Sequence, residues 1–450
     1  MLPGMKGNNG AQEGIRTPVK WICSPSRNRA LLPVQGIAEK PTLFKCHAWR
    51  NPSPSRQIDA WITCPVGAMG GTMPDIPDHL IRLKGGFKAF LSPPPEGVVR
   101  LTVGEPGFNT PKNITDTAIS ALKAGDTHYT RGEGREELCT AWASHLRSRW
   151  KIPVEDEGVV ITPGAKQALL YAFMIAAQED DEIILLAPCW PTHAEQVELV
   201  GAKPVFVHCE NPSFHPNVDL IQEAITEKTS AIVINSPNNP TGAVYTPEEM
   251  IAIVQLAIEH DLWIISDEIY TELIWNDTEY IAPASVLGGF ERTLTVTGPS
   301  KTHAMTGWRI GVFAAPTSIA KVVGRIQGNT CSHIPSFVMP AAELAAKDWS
   351  SVEKFRGEYL RRRKLMLDLL KGIPSLSASE PEGAFYVMVD VRQTGMDATT
   401  FAKRAMDEAL VQVIPLDSLP GGEGYIRLSY AADDDVIREG IQRLQAWLAQ

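Results

Sequence analysis

Val296-Thr297-Gly298-Pro299-Ser300-Lys301-Thr302-His303-Ala304-Met305-Thr306-Gly307-Trp308-Arg309 joins two apolar, strand-like runs at 293–297 and 310–314. Lys301 therefore falls between strands, in a segment rich in Gly, Ser and Thr. Taken alone, a lysine there reads as a solvated loop charge. Its neighbours change that reading: an arginine follows eight residues on, and an acid, a phenol and an asparagine precede it, at Asp267, Tyr270 and Asn239. A lysine amine condenses with an aldehyde, and burial lowers its pKa so that the free base is available. An arginine such as Arg309 matches a phosphate dianion.

A ligand carrying both an aldehyde and a phosphate is pyridoxal phosphate (PLP). Ser300-Lys301 followed by Ala304-Met305-Thr306-Gly307-Trp308-Arg309 resembles the cofactor-lysine signature of class I/II aminotransferases, in the bacterial aspartate/aromatic branch of the fold type I PLP enzymes. The resemblance spans roughly residues 73–450. It implies an α/β fold: a large domain with a mostly parallel sheet sandwiched by helices, plus a smaller α+β domain. It also implies a Schiff base between PLP and Lys301.

Composition fits that class. The chain has 450 residues, 44% hydrophobic and 21% charged, which is ordinary for a globular protein of two or three domains. A net charge of −10 argues against nucleic-acid binding, and no apolar run reaches the length of a membrane span. Seven cysteines are scattered without a CxxC pair, which reads as free thiols in a reducing, cytoplasmic setting and gives no metal site.

The first 72 residues differ. They carry nine Lys and Arg against three Asp and Glu, a net of +6, which leaves −16 on the remainder. Pro and Ser interrupt them and no period is sustained. A transit peptide, a basic arm, or a start codon that truly lies at Met73 all fit; the last is preferred, with disorder expected upstream. The expected division is an extension at 1–72, an N-terminal arm with part of the small domain at 73–114, a large cofactor-binding domain at 115–355 and a small domain at 356–450.

Strand and helix patterns alternate through the middle of the chain, as parallel sheets require. Strands are expected at 159–162, 182–187, 203–207, 231–235 and 262–266. Helices are expected from about 165 to 177, over 218–226, and over 246–260, where Thr246 is the N-cap and Pro247 the first helical residue. Further on, a helix is expected over 351–370, a strand over 382–390, a helix over 400–410, a strand over 424–430 and a helix over 433–448.

The family resemblance then assigns roles at strand ends, each weighed against a plainer reading. Gly104, in Val103-Gly104-Glu105-Pro106-Gly107, could be a plain turn; in the family a backbone group here meets the substrate, where glycine permits close approach. Tyr129 could be a packing tyrosine; the resemblance makes it the phenol that reaches the cofactor phosphate of the other subunit, which implies a homodimer. Gly164, Ala165 and Lys166 form a strand–turn–helix start, a cradle for an anion. Trp190 matches the ring stacked on the pyridine. Asn239, in Asn238-Asn239-Pro240-Thr241-Gly242, matches the amide on the cofactor's ring oxygen and lies beside the substrate. Asp267 matches the acid that keeps the pyridine nitrogen protonated, and Tyr270 the phenol on the ring oxygen. Arg309 matches the phosphate ligand, and Arg427 the arginine for the substrate α-carboxylate. Gly298 departs from the usual serine of many relatives; Thr297 or Ser300 would have to replace that hydroxyl.

Amino acid and 2-oxo acid substrates follow from the resemblance, with aspartate or aromatic donors preferred. Arg325 and His333 are the candidates for a second substrate clamp. A PLP-dependent C–S lyase, an aminocyclopropane carboxylate synthase and a PLP-binding transcription regulator remain as alternatives, because the fold does not fix the outcome of PLP chemistry. A chain beginning at Met73 is expected to keep full aminotransferase activity and soluble yield, checked by steady-state assay against the 450-residue chain.

Overall fold

In the computed structural model, residues 95–275 and 278–450 are described, together with Asp75, Ile76 and Ile81. The described residues all fall in one compact unit, Asp75–Gln450. The disorder expected for 1–72 lies outside the described residues.

The elements run β1 (Val99–Arg100), α1 (Lys112–Lys123), α2 (Glu136–Trp150), β2 (Val159–Thr162), α3 (Ala165–Ala176), β3 (Glu182–Ala187), α4 (Pro191–Leu199), β4 (Lys203–His208), α5 (Val218–Ala224), β5 (Thr229–Asn235), α6 (Pro247–Glu259), β6 (Trp263–Asp267), β7 (Thr293–Thr297) and β8 (Gly311–Ala314). They continue through α7 (Thr317–Thr330), α8 (Met339–Ala345), α9 (Trp349–Leu370), β9 (Ser377–Ala378), β10 (Tyr386–Asp390), α10 (Ala398–Glu408), β11 (Val411–Gln412), β12 (Ile414–Pro415), β13 (Tyr425–Ser429) and α11 (Asp434–Leu448).

Seven strands form the main sheet in the order β2-β8-β7-β6-β5-β3-β4. Only β8 runs against its neighbours; the rest point one way. Buried on both faces, these strands are nearly continuous apolar runs, and alternate side chains enter two separate cores. Ile184, Leu186, Ile232, Ile234 and Ile264 face one core, with Leu138, Trp142, Ile253 and Val254 from α2 and α6. Ile183, Leu185, Ala231, Val233 and Ile265 face the other, with Leu169, Ala172, Val197 and Val323 from α3, α4 and α7. This is the expected helix-covered, mostly parallel sheet. A third core gathers β10, β13, α9, α10 and α11 around Tyr359, Phe385, Phe401 and Leu444. Its sheet has the order β12-β13-β10-β9 and is antiparallel throughout.

Most expected elements recur within a residue or two, and the departures have local causes. Helix α9 begins at Trp349, two residues before expectation, because Asp348 caps it, accepting from the Ser351 N–H at 3.2 Å. Helix α10 is likewise shifted: Asp397 caps it by accepting from the Thr400 N–H at 2.7 Å, and Leu410 has left the helix at φ 54°. Residues 382–385 are not strand. The N–H groups of Glu382 and Gly383 both donate to the Gly242 carbonyl, and Ala384 is at φ 58°. The Thr246 cap stands as expected, as a full capping box with Glu249.

That capping box carries a second load. The His215 imidazole lies between Glu249 (Nδ1 to Oε2, 2.9 Å) and Glu382 (Nε2 to Oε2, 3.1 Å), and Glu382 also accepts from the Val244 N–H at 2.9 Å. The His215 bridge thus ties α6, the turn after Asn239 and the segment before β10. Hydrogen bonds that His215 donates to Glu249 and then to Glu382 raise it to about 10. A folded value above the ordinary histidine value of about 6.5 contributes stability that is fully present below that value and is lost as pH rises through 10. Solvent screening of this half-buried group limits the effect to on the order of 1 kcal/mol. The chain is therefore expected to lose more stability than His215→Gln between pH 6 and pH 10.5, read as urea unfolding midpoints.

Candidate active site

Parallel strands end at one edge of the main sheet, and the loops that leave that edge carry the candidate residues. Asp267 is the last residue of β6, in register with Asn235 at the end of β5 and with Val296 near the end of β7. Lys301 follows β7, Tyr270 and Asn239 follow β6 and β5, Trp190 follows β3, and Gly164 follows β2. Arg309 precedes β8, the antiparallel strand, and so returns to the same edge.

Contacts link these residues in sequence. Lys166 Nζ lies 4.8 Å from the Trp190 ring centre. The Trp190 ring meets His193 edge-on at 5.5 Å. His193 Nε2 is 3.1 Å from Asp267 Oδ2, with both side chains buried. Asn235 donates to the Asp267 carbonyl at 3.0 Å and accepts from the Asn239 N–H at 2.9 Å. Asn239 Oδ1 accepts from Arg427 Nη1 at 2.8 Å, and the Thr102 carbonyl accepts from Arg427 Nη2 at 3.2 Å. The Arg427 guanidinium lies 4.3 Å from the Tyr386 ring centre, and the Tyr386 and Tyr270 hydroxyls are 2.9 Å apart. Lys301 Nζ is 6.0 Å from the Tyr270 ring centre and donates to the Gly104 carbonyl at 2.6 Å.

The electrostatics suit a reactive amine. Burial, with the charges of Arg427 and Arg309, lowers Lys301 to about 8, against the opposing influence of Glu105 and Asp267. About a tenth of such amines are unprotonated at pH 7. Burial also pushes the Tyr270 phenol well above its usual range, so it remains a hydrogen-bond donor. Glu268, beside Asp267, is pushed up to about 8 by burial and keeps its proton at neutral pH; Ser266 donates to it at 2.9 Å.

An anion cradle sits beside this cluster. Gly164 is the N-cap of α3 at φ 87°, with Ala165 and Lys166 opening the helix. A Cβ at Gly164 would come 2.9 Å from Arg309 Cζ, so only glycine lets the guanidinium lie on the turn. Arg309 is held there by donating to the Thr306 carbonyl at 2.9 Å. Gly298 has a comparable cause. At φ 151°, a Cβ would come 3.0 Å from the Ile310 carbonyl oxygen, so the backbone itself disfavours the serine of many relatives. The Thr297 and Ser300 hydroxyls already donate to the carbonyls of Glu268 (3.1 Å) and Ile310 (3.4 Å).

Tyr129 stands apart, 91% exposed and edge-on to His333. His333 accepts from the Thr130 N–H at 3.3 Å, and Arg325 is exposed on α7. His193, Asn235 and Tyr386 escaped the sequence reading. A signal existed for His193: with Pro191 as the first helical residue, it is the third residue of the helix that leaves the end of β3. For Tyr386 the signal was the two-residue period of β10.

The donor set therefore fits PLP on the structure's own terms: a depressed amine, a glycine-lined cradle under a guanidinium, and a buried acid, phenol and amide between them. The comparisons agree. The model of the family "Aminotransferase class I and II" matches residues 96–444. The chain is 38% identical to the aspartate aminotransferase of Pyrococcus abyssi over 361 residues, 78% of this chain and 92% of that one. It is 37% identical to aromatic-amino-acid aminotransferase 2 of Thermococcus litoralis over 363 residues, covering 79% and 92%. The crystal structure of the aromatic aminotransferase from Pyrococcus horikoshii superposes with a TM-score of 0.76 at 38% identity, covering 78% and 96%.

Amine-directed labelling of the cofactor-free protein, read by peptide mass spectrometry, is expected to modify Lys301 half-maximally near pH 8, below the range at which ordinary lysines respond. With fold, site chemistry and relatives in agreement, the chain belongs to the class I and II aminotransferase family and is a PLP-dependent aminotransferase.

Proposed function

We propose that this enzyme moves the amino group of aspartate or an aromatic L-amino acid to a 2-oxo acid such as 2-oxoglutarate, with Lys301 as the central group. The observation that carries the reading is the amine lowered to about 8 and set within one connected cluster with Asp267, Tyr270, Asn239 and Arg427. The names of the relatives, aspartate and aromatic aminotransferases, support the donor class.

In this reading Lys301 would hold the cofactor's aldehyde, while Arg309 and the backbone of Gly164, Ala165 and Lys166 would hold its phosphate. Asp267 would face the ring nitrogen, Tyr270 and Asn239 the ring oxygen, and Trp190 the ring face. Bound PLP supplies an electron-withdrawing ring that stabilises negative charge at the substrate Cα. The remaining work belongs to the protein. Arg427, aimed by Asn239 and the Thr102 carbonyl, pairs with the substrate α-carboxylate in a planar, bidentate match. Gly104 keeps backbone close to the substrate. Once the substrate amine had taken its place on the aldehyde, the freed Lys301 amine would carry the Cα proton, as general base and then acid. Its fixed place beside Cα supplies much of the advantage by proximity. His193 holds the Asp267 carboxyl in the place from which it would face the ring nitrogen.

The exposure of Tyr129 supports a homodimer, in which Tyr129 of the partner subunit reaches the phosphate. In the same reading residues 115–355 would form the cofactor-binding domain and 356–450 the small domain, to which part of 73–114, otherwise an N-terminal arm, would contribute. The free buried cysteines Cys139, Cys189 and Cys209 suit a reducing cytoplasm, and the charge of −10 suits neither a nucleic acid nor a membrane surface as partner.

The test is the absorbance of the PLP-loaded protein after single amino acids are added without any oxo acid. The cofactor band is expected to vanish with aspartate or an aromatic donor and to return with 2-oxoglutarate. Lys301→Ala is expected to abolish turnover with unchanged circular dichroism. A band indifferent to those donors, or ammonia released without an acceptor, would overturn the assignment.

A further inference from the structure

Tyr386 is completely buried at the start of β10, yet it touches three separate parts of the site. Its hydroxyl is 2.9 Å from that of Tyr270. Its ring lies under the Arg427 guanidinium, 4.3 Å from ring centre to Cζ. Its hydroxyl would be 3.1 Å from a Cβ at Gly104, so the glycine there makes room for it. The strand register produces this placement. Tyr386 pairs with Ser429 and Met388 with Arg427, so Tyr386 and Arg427 are diagonal neighbours on one face of the small sheet.

Hydrogen-bond accounting gives the contact a direction. A phenol has one proton to donate and can accept as well. Only one of the two protons can lie between the Tyr386 and Tyr270 oxygens; the other is left for a third group. If Tyr270 donates to Tyr386, nothing remains for it to give to a ligand. If Tyr386 donates, the Tyr270 proton is free to point to the side where Lys301 lies. The guanidinium on the Tyr386 ring decides between them. Burial raises both phenols, Tyr270 far above its usual range, and the Arg427 cation opposes that rise most directly at Tyr386, whose ring it covers, which makes the Tyr386 O–H the stronger donor.

We propose that Tyr386 is a positioning residue for amino transfer: its hydroxyl donates to Tyr270 and so commits Tyr270 to donate to the ring oxygen of bound PLP, while its ring supports Arg427 in the orientation that receives the substrate carboxylate. The proposal rests on the function assigned above. It makes the cofactor-facing phenol and the carboxylate-binding arginine parts of one unit, joined through a side chain that touches neither ligand.

The two roles separate by substitution. Tyr386→Phe removes the donor and keeps the ring; Tyr386→Leu removes both. A donor on the ring oxygen withdraws electron density and disfavours protonation of the adjacent lysine nitrogen, so its loss raises the pH midpoint of the bound cofactor's absorbance. In the PLP-loaded protein, Tyr386→Phe is expected to raise that midpoint by about half a pH unit, in the same direction as Tyr270→Phe and by less. It is expected to lower kcat roughly tenfold with KM for the amino donor changed less than about twofold. Tyr386→Leu is expected to add a roughly tenfold rise in KM. The double variant Tyr270→Phe/Tyr386→Phe is expected to shift the midpoint no further than Tyr270→Phe alone, because Tyr386 acts through Tyr270.

An unchanged midpoint in Tyr386→Phe, or additive shifts in the double variant, would overturn the proposal. Should Tyr386→Phe fail to fold, 3-fluorotyrosine placed at 386, which keeps the ring and makes the hydroxyl a stronger donor, is expected to lower the same midpoint, and an unchanged midpoint there would overturn the proposal. Failure of the underlying reading looks different: the cofactor band of the unsubstituted protein would then not respond to aspartate or an aromatic donor.

Discussion

A carboxylate at the end of a buried strand is the constraint on which the site depends. Removing Asp267 from water is costly unless hydrogen bonds and opposite charge replace the solvent. The surroundings supply them. His193 reaches one carboxylate oxygen, and the Ile269 N–H donates to the other at 3.3 Å. The same strand end is fixed through Asn235, which binds the Asp267 carbonyl and the Asn239 N–H. Because β5 and β6 are in register at Asn235 and Asp267, this one pairing places the acid and the amide-bearing turn together.

From that edge the site extends by pairing each costly group with a second element. The Lys301 amine is desolvated but finds the Gly104 carbonyl. The Arg427 charge is buried on an aromatic face and held by Asn239 and Thr102. Loop 104–110 is fastened to the lysine loop by further bonds, from Thr306 to Glu105 (2.8 Å), from Thr110 to the Ala304 carbonyl (2.7 Å) and from Trp308 to Thr110 (2.9 Å). The Lys301 amine and the Arg427 guanidinium therefore share a frame made from both sheets. Proximity catalysis needs that sharing, because reacting groups on independently moving parts lose the advantage of fixed geometry.

Local chemistry was legible where it had a local cause. The apolar strands, the capping box at Thr246, the glycine turn before α3 and the lysine segment could be read because each depends on neighbours in sequence. Helix starts were misplaced where a nearer acid took the cap, as Asp348 did before α9 and Asp397 before α10. Residues 382–385 read as strand because Ala384 and Phe385 extend the apolar run of β10, yet Gly242 claims the N–H groups of Glu382 and Gly383 from far along the chain. Gly298, a departure from many relatives at the sequence level, has a reason visible only once β8 lies beside it.

By itself, the sequence determined the α/β class, the order of the parallel strands' elements and the identity of the residues at their ends. Those follow from short-range periodicity and from residue chemistry. Tertiary structure alone decided that His193 stands behind Asp267, that Tyr386 joins Tyr270 to Arg427, and that Lys301 is desolvated enough to reach about 8. These are relations between side chains 74, 116 and 41 positions apart, fixed by strand register and by burial rather than by any local pattern.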